Sequence, residues 1–235
     1  MKEKITIAQS LREIPETLKV GGDLDLRGRT GLTELPDNLE VGGFLELFGC
    51  TGLTKLPDNL KVGRDLDLFG CTGLTELPDN LKVGRDLDLR DCTGLTELPD
   101  NLKVGSDLDL HGCTGLTELP DNLEVGGDLD LFGCTGLSKL PDKLKVGGDL
   151  YLNGCTGLKE LPSNIDVLVG GEIDTYGWTG HISSVENKPS DFDLNKTLSF
   201  VSSEKKNSNE RFTKKQTVGS SNKIVRKSSS KNHKP

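Results

Sequence analysis

Apolar residues recur along this chain at one spacing. Between Leu98 and Glu118 they fall at Leu98, Leu102, Val104, Leu108, Leu110, Cys113 and Leu116. The same order returns with a period of 21, in copies that begin at Ile14, Leu35, Leu56, Leu77, Leu98, Leu119, Leu140 and Leu161. Seven copies have equal length, and the eighth gains two residues around Val167-Leu168-Val169. A strict period this short marks a solenoid in which each copy is one coil.

Within a coil, V-G-G-D-L-D-L alternates with period 2. That pattern predicts one short strand, with Val104, Leu108 and Leu110 inward, Asp107 and Asp109 outward, and a bulge at Gly105-Ser106. Gly112 and Gly115 then turn the chain. Leu116, Leu119 and Leu123 face inward around a turn at Pro120-Asp121-Asn122. Glycine, proline and the short period leave no room for a long helix. The predicted fold is therefore all-β: about eight coils with short parallel strands, strand joined to turn. Residues 1–13 are expected to cap the open end, where Ile5, Ile7 and Leu11 can cover apolar coil interior. Residues 14–182 form the solenoid, and its last coil is degenerate, with Trp178 standing where Cys belongs. Residues 183–235, rich in Ser, Asn and Lys, are expected to be mostly disordered.

Charge changes the picture. Residues 1–182 carry 17 Lys and Arg against 32 Asp and Glu, a net of −15, and residues 183–235 carry 12 against 5, a net of +7; together they give the overall −8. An acidic body with a basic tail implies different partners for the two parts. Six cysteines, Cys50 to Cys155, occupy the same place in six successive copies. Parallel side chains on coils ~4.8 Å apart fit disulfide geometry poorly, and no CxxC pair starts a zinc site. Six inward thiols point to a reducing compartment. No apolar run approaches the ~20 residues that span a bilayer.

The run L-D-L-x-G-C-T-G-L-T-x-L-P resembles the leucine-rich repeat core LxLxxCxxLxxLP, with Cys113 where many such repeats have Asn. The short unit opening on L-P is similar to the compact bacterial repeats of the IpaH/YopM effector family, although its greater length and its V-G-G insertion depart from that family's unit. The likeness covers Ile14 to about Ile182 and implies a solenoid that binds protein. No ubiquitin-ligase domain follows the repeats, so that activity is not implied.

Stacked coils turn each repeat position into a surface column. One column reads Asp23, Phe44, Asp65, Asp86, Asp107, Asp128, Asp149, Glu172, and a second reads Asp25, Glu46, Asp67, Asp88, Asp109, Asp130, Tyr151, Asp174. Fourteen of these sixteen positions are acidic. Like charges ~5 Å apart repel by about 1 kcal/mol in water, so the strip is either a solvated face copied by duplication or a surface for a basic partner or cations. A third column varies: Arg27, Phe48, Phe69, Arg90, His111, Phe132, Asn153. Exposed Phe and Arg are what interfaces enrich. Arg64 and Arg85 are placed to offset part of the acidic charge. The residue after the second Leu and the last residue of each coil carry opposite signs, as in Lys103/Glu118 and Glu124/Lys139. This predicts two columns side by side, bridged coil by coil.

Catalytic chemistry finds no support in the pattern. His111, His181 and His233 lie in unrelated surroundings, and no nucleophile elbow or phosphate loop occurs. The expected function is a non-catalytic scaffold for a protein partner with a basic patch, of bacterial effector type, needing no cofactor. It is expected to be monomeric and cytoplasmic, or in a host cytosol after export without a Sec signal. The partner-binding residues are Arg27, Phe44, Phe48, Phe69, Arg90, His111 and Phe132, with the acids Asp65, Asp67, Asp86, Asp88, Asp107, Asp109, Asp128 and Asp130. The alternatives are a divalent-cation-binding solenoid and a solenoid masked by its own tail. That tail could also meet nucleic acid or an anionic membrane.

Overall fold

The computed structural model describes residues 18–182, and over that range the chain is a parallel β-solenoid with one coil per repeat. The expected cap at residues 1–13 and the tail from 183 lie outside the described residues, as does the start of the first coil. Each coil contributes two strands of two residues, not one longer strand. The first, such as Lys103–Val104, joins a seven-stranded sheet running from Lys19–Val20 to Lys145–Val146. The second, such as Leu108–Asp109, joins an eight-stranded sheet from Leu24–Asp25 to Ile173–Asp174. The Gly105-Ser106 pair is therefore a corner between two sheets and not a bulge within one. Strict alternation survives only after the corner, because the bend resets which face points inward.

Neighbouring coils pair in parallel with residue i opposite i+21, as in Leu108↔Leu129 and Val104↔Val125. In the last coil Leu150 pairs with Ile173, two places beyond that regular register. The two extra residues are absorbed by a single helical turn, Ile165–Leu168, which returns Val169 to a bridge with Val146. A third, two-stranded sheet joins Glu160–Leu161 to His181–Ile182 at this end. Among the described residues no helix is long and apolar enough to cross a membrane.

The interior is one cluster built from the predicted positions: Leu98, Leu102, Val104, Leu108, Leu110, Cys113 and Leu116 of this coil are all buried, as are their equivalents in the neighbouring coils, while Leu18, Ile173 and Trp178 at the two ends of the described stack are partly buried. All six cysteines are buried and free. Each thiol has a polar partner that explains its recurrence. Cys113 Sγ donates to the Leu89 carbonyl of the preceding coil at 3.1 Å, and the other five repeat this contact at 3.0–3.3 Å. Burial raises every thiol pKa, that of Cys71 to about 12, so these are inert packing residues. At the end of the stack Trp178 replaces the thiol, and its indole N–H donates to the Leu158 carbonyl at 2.7 Å.

The turn after the second strand needs a left-handed residue. Gly28, Gly49, Gly70, Gly112, Gly133, Gly154 and Gly177 have φ between +69° and +76° there, while Asp91 holds the same place at +54°. A side chain in that conformation is strained, and Asp is among the few that tolerate it.

Candidate binding face

The two acidic columns flank the strand Leu of the eight-stranded sheet, and both are built into the backbone. In the first, each carboxylate reaches the coil above. Asp107 Oδ1 accepts the Asp128 amide at 3.0 Å, Asp128 accepts that of Asp149 at 2.7 Å, and Asp149 accepts that of Glu172 at 2.8 Å. Asp23 does the same for Phe44 at 3.1 Å. These four contacts cross a glycine, Gly127, Gly148, Gly171 or Gly43 respectively, and a β-carbon there would lie 2.0–2.2 Å from the carboxylate oxygen. Where the coil has Arg85 or Ser106 instead, the contacts from Asp65 to Asp86 and from Asp86 to Asp107 lengthen to 3.5 and 3.4 Å. The second glycine of V-G-G thus gives the carboxylate room to reach the amide.

In the second column the carboxylate closes an Asx turn onto the amide two residues on. Asp109 Oδ1 accepts from His111 at 3.0 Å, Asp88 from Arg90 at 3.0 Å, Asp67 from Phe69 at 3.0 Å, and Asp130 from Phe132 at 2.8 Å. Asp25 and Asp174 do so at 3.2 and 2.9 Å. A longer Glu would overshoot both kinds of contact, which is why twelve of the fourteen acids are Asp. Much of the acidity is thereby explained as hydrogen-bonding chemistry whose charge comes with it.

That charge is not free. Alternation places Asp109 outward, yet it is only 5% exposed, so its assignment as an open partner-facing acid is corrected. The coils above and below wall it in. Burial first, then the Asp130 charge, pushes its pKa up to about 7, against the pull of Arg90. Asp67 is pushed to about 6 by burial and then Asp88, and burial also raises Asp65 and Asp130. Arginines offset part of this. Arg27 clamps Asp25 in its own coil and reaches Glu46 in the next at 3.1 Å. Arg90 repeats the arrangement with Asp88 and with Asp109 at 3.4 Å. Arg85 lies 3.7 Å from Asp65, as its position in the sequence suggested.

The variable column stands outside these acids as a stack of planar groups. Phe48 and Phe69 stack with centroids 5.0 Å apart, Arg90 lies over Phe69 at 4.8 Å, and His111 tilts against Phe132 at 4.5 Å. Arg64 covers Phe44 at 4.4 Å. Phe48 and Phe132 do not fold down over the coil edge, being 43% and 39% exposed, whereas Phe44 and Phe69 are half-buried. The repeat count ends this column at Asn153, but register carries it on to Tyr176, which is 78% exposed. The two-residue insertion moves that place off the regular period.

The opposite-sign columns prove to be wired differently. Among the described residues ion pairs run along each column, between coils, and none joins one column to the other. Glu40 takes Lys61 at 2.8 Å and Lys19 at 2.9 Å, Glu124 takes Lys103 at 2.7 Å and Lys145 at 2.6 Å, and Lys139 meets Glu118 at 3.7 Å. A parallel stack sets equivalent residues one coil apart, so a single reversed sign finds two partners directly above and below. Those lysines hold Glu40 and Glu124 down to about 2. Among the described residues no group of three or more His, Cys, Asp or Glu side chains is arranged to hold a metal ion.

Comparison with protein-family models, curated proteins and solved structures finds no match.

Proposed function

We propose that this protein is a non-catalytic binding scaffold, with a leucine-rich-repeat character, that engages a protein partner through the outward face of its eight-stranded sheet. The observation that carries this reading is the stack of Phe, Arg and His on a rigid strand ladder, with rings exposed and acids behind them. Rings held in place by stacking lose little freedom on binding, and the acids behind them favour a basic patch on the partner. Six buried thiols suit a reducing compartment, the cytoplasm or the cytosol of a host, and the proposed scaffold acts as a monomer. Effector-like action in a bacterial setting is the biological form of the proposal. The cation-binding alternative is less favoured, because the column carboxylates already serve backbone amides.

The test compares the intact chain with Phe48→Ala/Phe69→Ala/Phe132→Ala on arrays of basic, neutral and acidic peptides. Binding confined to basic peptides, weakening with salt and lost in the triple variant at unchanged melting temperature, is expected. Binding that ignores the three rings, or favours acidic peptides, refutes the proposal.

A further inference from the structure

We infer that the coil carrying Asn153 forms a notch that receives the guanidinium of an arginine presented by the partner protein. This rests on the binding-scaffold reading and names the chemistry of one place on it. The chain itself supplies the template. At two places the third column carries arginine, and both times the guanidinium grips its own coil's Asp and the acid of the next coil: Arg27 with Asp25 and Glu46, Arg90 with Asp88 and Asp109. Arg90 also lies on the ring of the coil before it, Phe69.

At Asn153 two of these features recur without the arginine, the ring of the coil before and the acid of the coil after, while Tyr151 stands where the Asp of its own coil would be. The coil before it offers the Phe132 ring, and the coil after it offers Asp174, the counterpart of Asp109. Asn153 is too short to cover the ring; its amide turns to Asp174 Oδ1 at 3.3 Å. Tyr176 rises on the far side, so two of the three large hydrophobic side chains exposed among the described residues flank this one asparagine. Two coil spacings set their backbones about 10 Å apart, which leaves room for a planar cation between two rings. Tyr151 replaces the acid at the foot of the notch and donates to Asp149 at 3.2 Å. Burial is the main cause of the raised Asp130 pKa, and the charge of Asp174 adds a smaller push that an incoming cation relieves.

The test is a chemical-shift titration of the intact chain at low salt. The probes are Gly/Ser peptides bearing one central arginine, citrulline, lysine or trimethyllysine. The arginine peptide is expected to move the amides of Asn153 and Tyr176 and to bind at least about tenfold more tightly than the citrulline peptide. Asn153→Arg, which supplies the guanidinium from within, is expected to weaken arginine-peptide binding at least about tenfold while the other solenoid amides keep their positions. Equal binding of arginine and citrulline, tighter binding of trimethyllysine or lysine, or indifference to Asn153→Arg overturns the inference. Loss of binding in Phe48→Ala with no response to Asn153→Arg leaves the scaffold reading standing and removes the notch. Binding that emerges only after Arg211→Gln/Arg226→Gln assigns the notch to the chain's own tail and overturns a partner as its occupant.

Discussion

Replacing Asp109 by Asn separates what its carboxylate does as a hydrogen-bond acceptor from what it does as a charge. The Asn side-chain oxygen can still accept the His111 amide, so the Asx turn survives. What disappears is a charge that burial and Asp130 disfavour more strongly than Arg90 favours it. The folded-state pKa of about 7 lies above the ordinary 3.8, so the folded protein holds a proton that the unfolded chain releases. This group's contribution is therefore fully present below about pH 4 and is lost as pH rises towards 7. The slope is up to about 1.4 kcal/mol per pH unit, and the total is on the order of 4 kcal/mol at neutral pH. Glu40 and Glu124 act in the opposite sense, since their depressed pKa values withdraw stability as pH falls from about 4.5 towards 2. They are common to wild type and variant and cancel in the difference. Urea unfolding of both proteins from pH 4 to pH 8.5 measures it. Asp109→Asn is expected to match wild type near pH 4 and to exceed it increasingly up to pH 7. A difference that does not change with pH, or a variant less stable than wild type at pH 8, refutes the reasoning and means that the Arg90 pair outweighs burial.

Gly148→Ala is expected to cost about 1–3 kcal/mol in thermal or urea unfolding, because the new methyl displaces the Asp128 carboxylate from the Asp149 amide. Asp91→Gly relieves a left-handed non-glycine residue and is expected to raise stability by about 1 kcal/mol, read as a higher urea midpoint at unchanged slope. All six thiols are buried, so a thiol reagent should label none of them in the folded protein. Labelling is expected to follow the unfolding curve, and a rapidly reacting fraction would contradict the packed column. Cys113→Ala should cost about 1–3 kcal/mol through the cavity left beside Leu89.

The sequence determined the coil by itself. A period of 21 with Leu, Val and Cys at fixed places leaves one way to bury them, and a stack repeats that solution until the pattern decays near Trp178. Variation at Phe48, Phe69, Arg90, His111 and Phe132 beside constant neighbours also marked the outward column before any coordinates. Tertiary structure decided what depends on direction and on neighbours from other coils. The V-G-G corner divides one apparent strand between two sheets. The acidic columns serve backbone amides, in the next coil or two residues on, and Asp109 lies buried where alternation placed it in solvent. Among the described residues Lys and Glu bridge along columns and not across them, since stacking sets residue i directly beside i+21. A repeat pattern states which residues share a column, but hydrogen-bond partners and burial follow from the ~4.8 Å rise and the bend of each corner, which only the assembled stack contains.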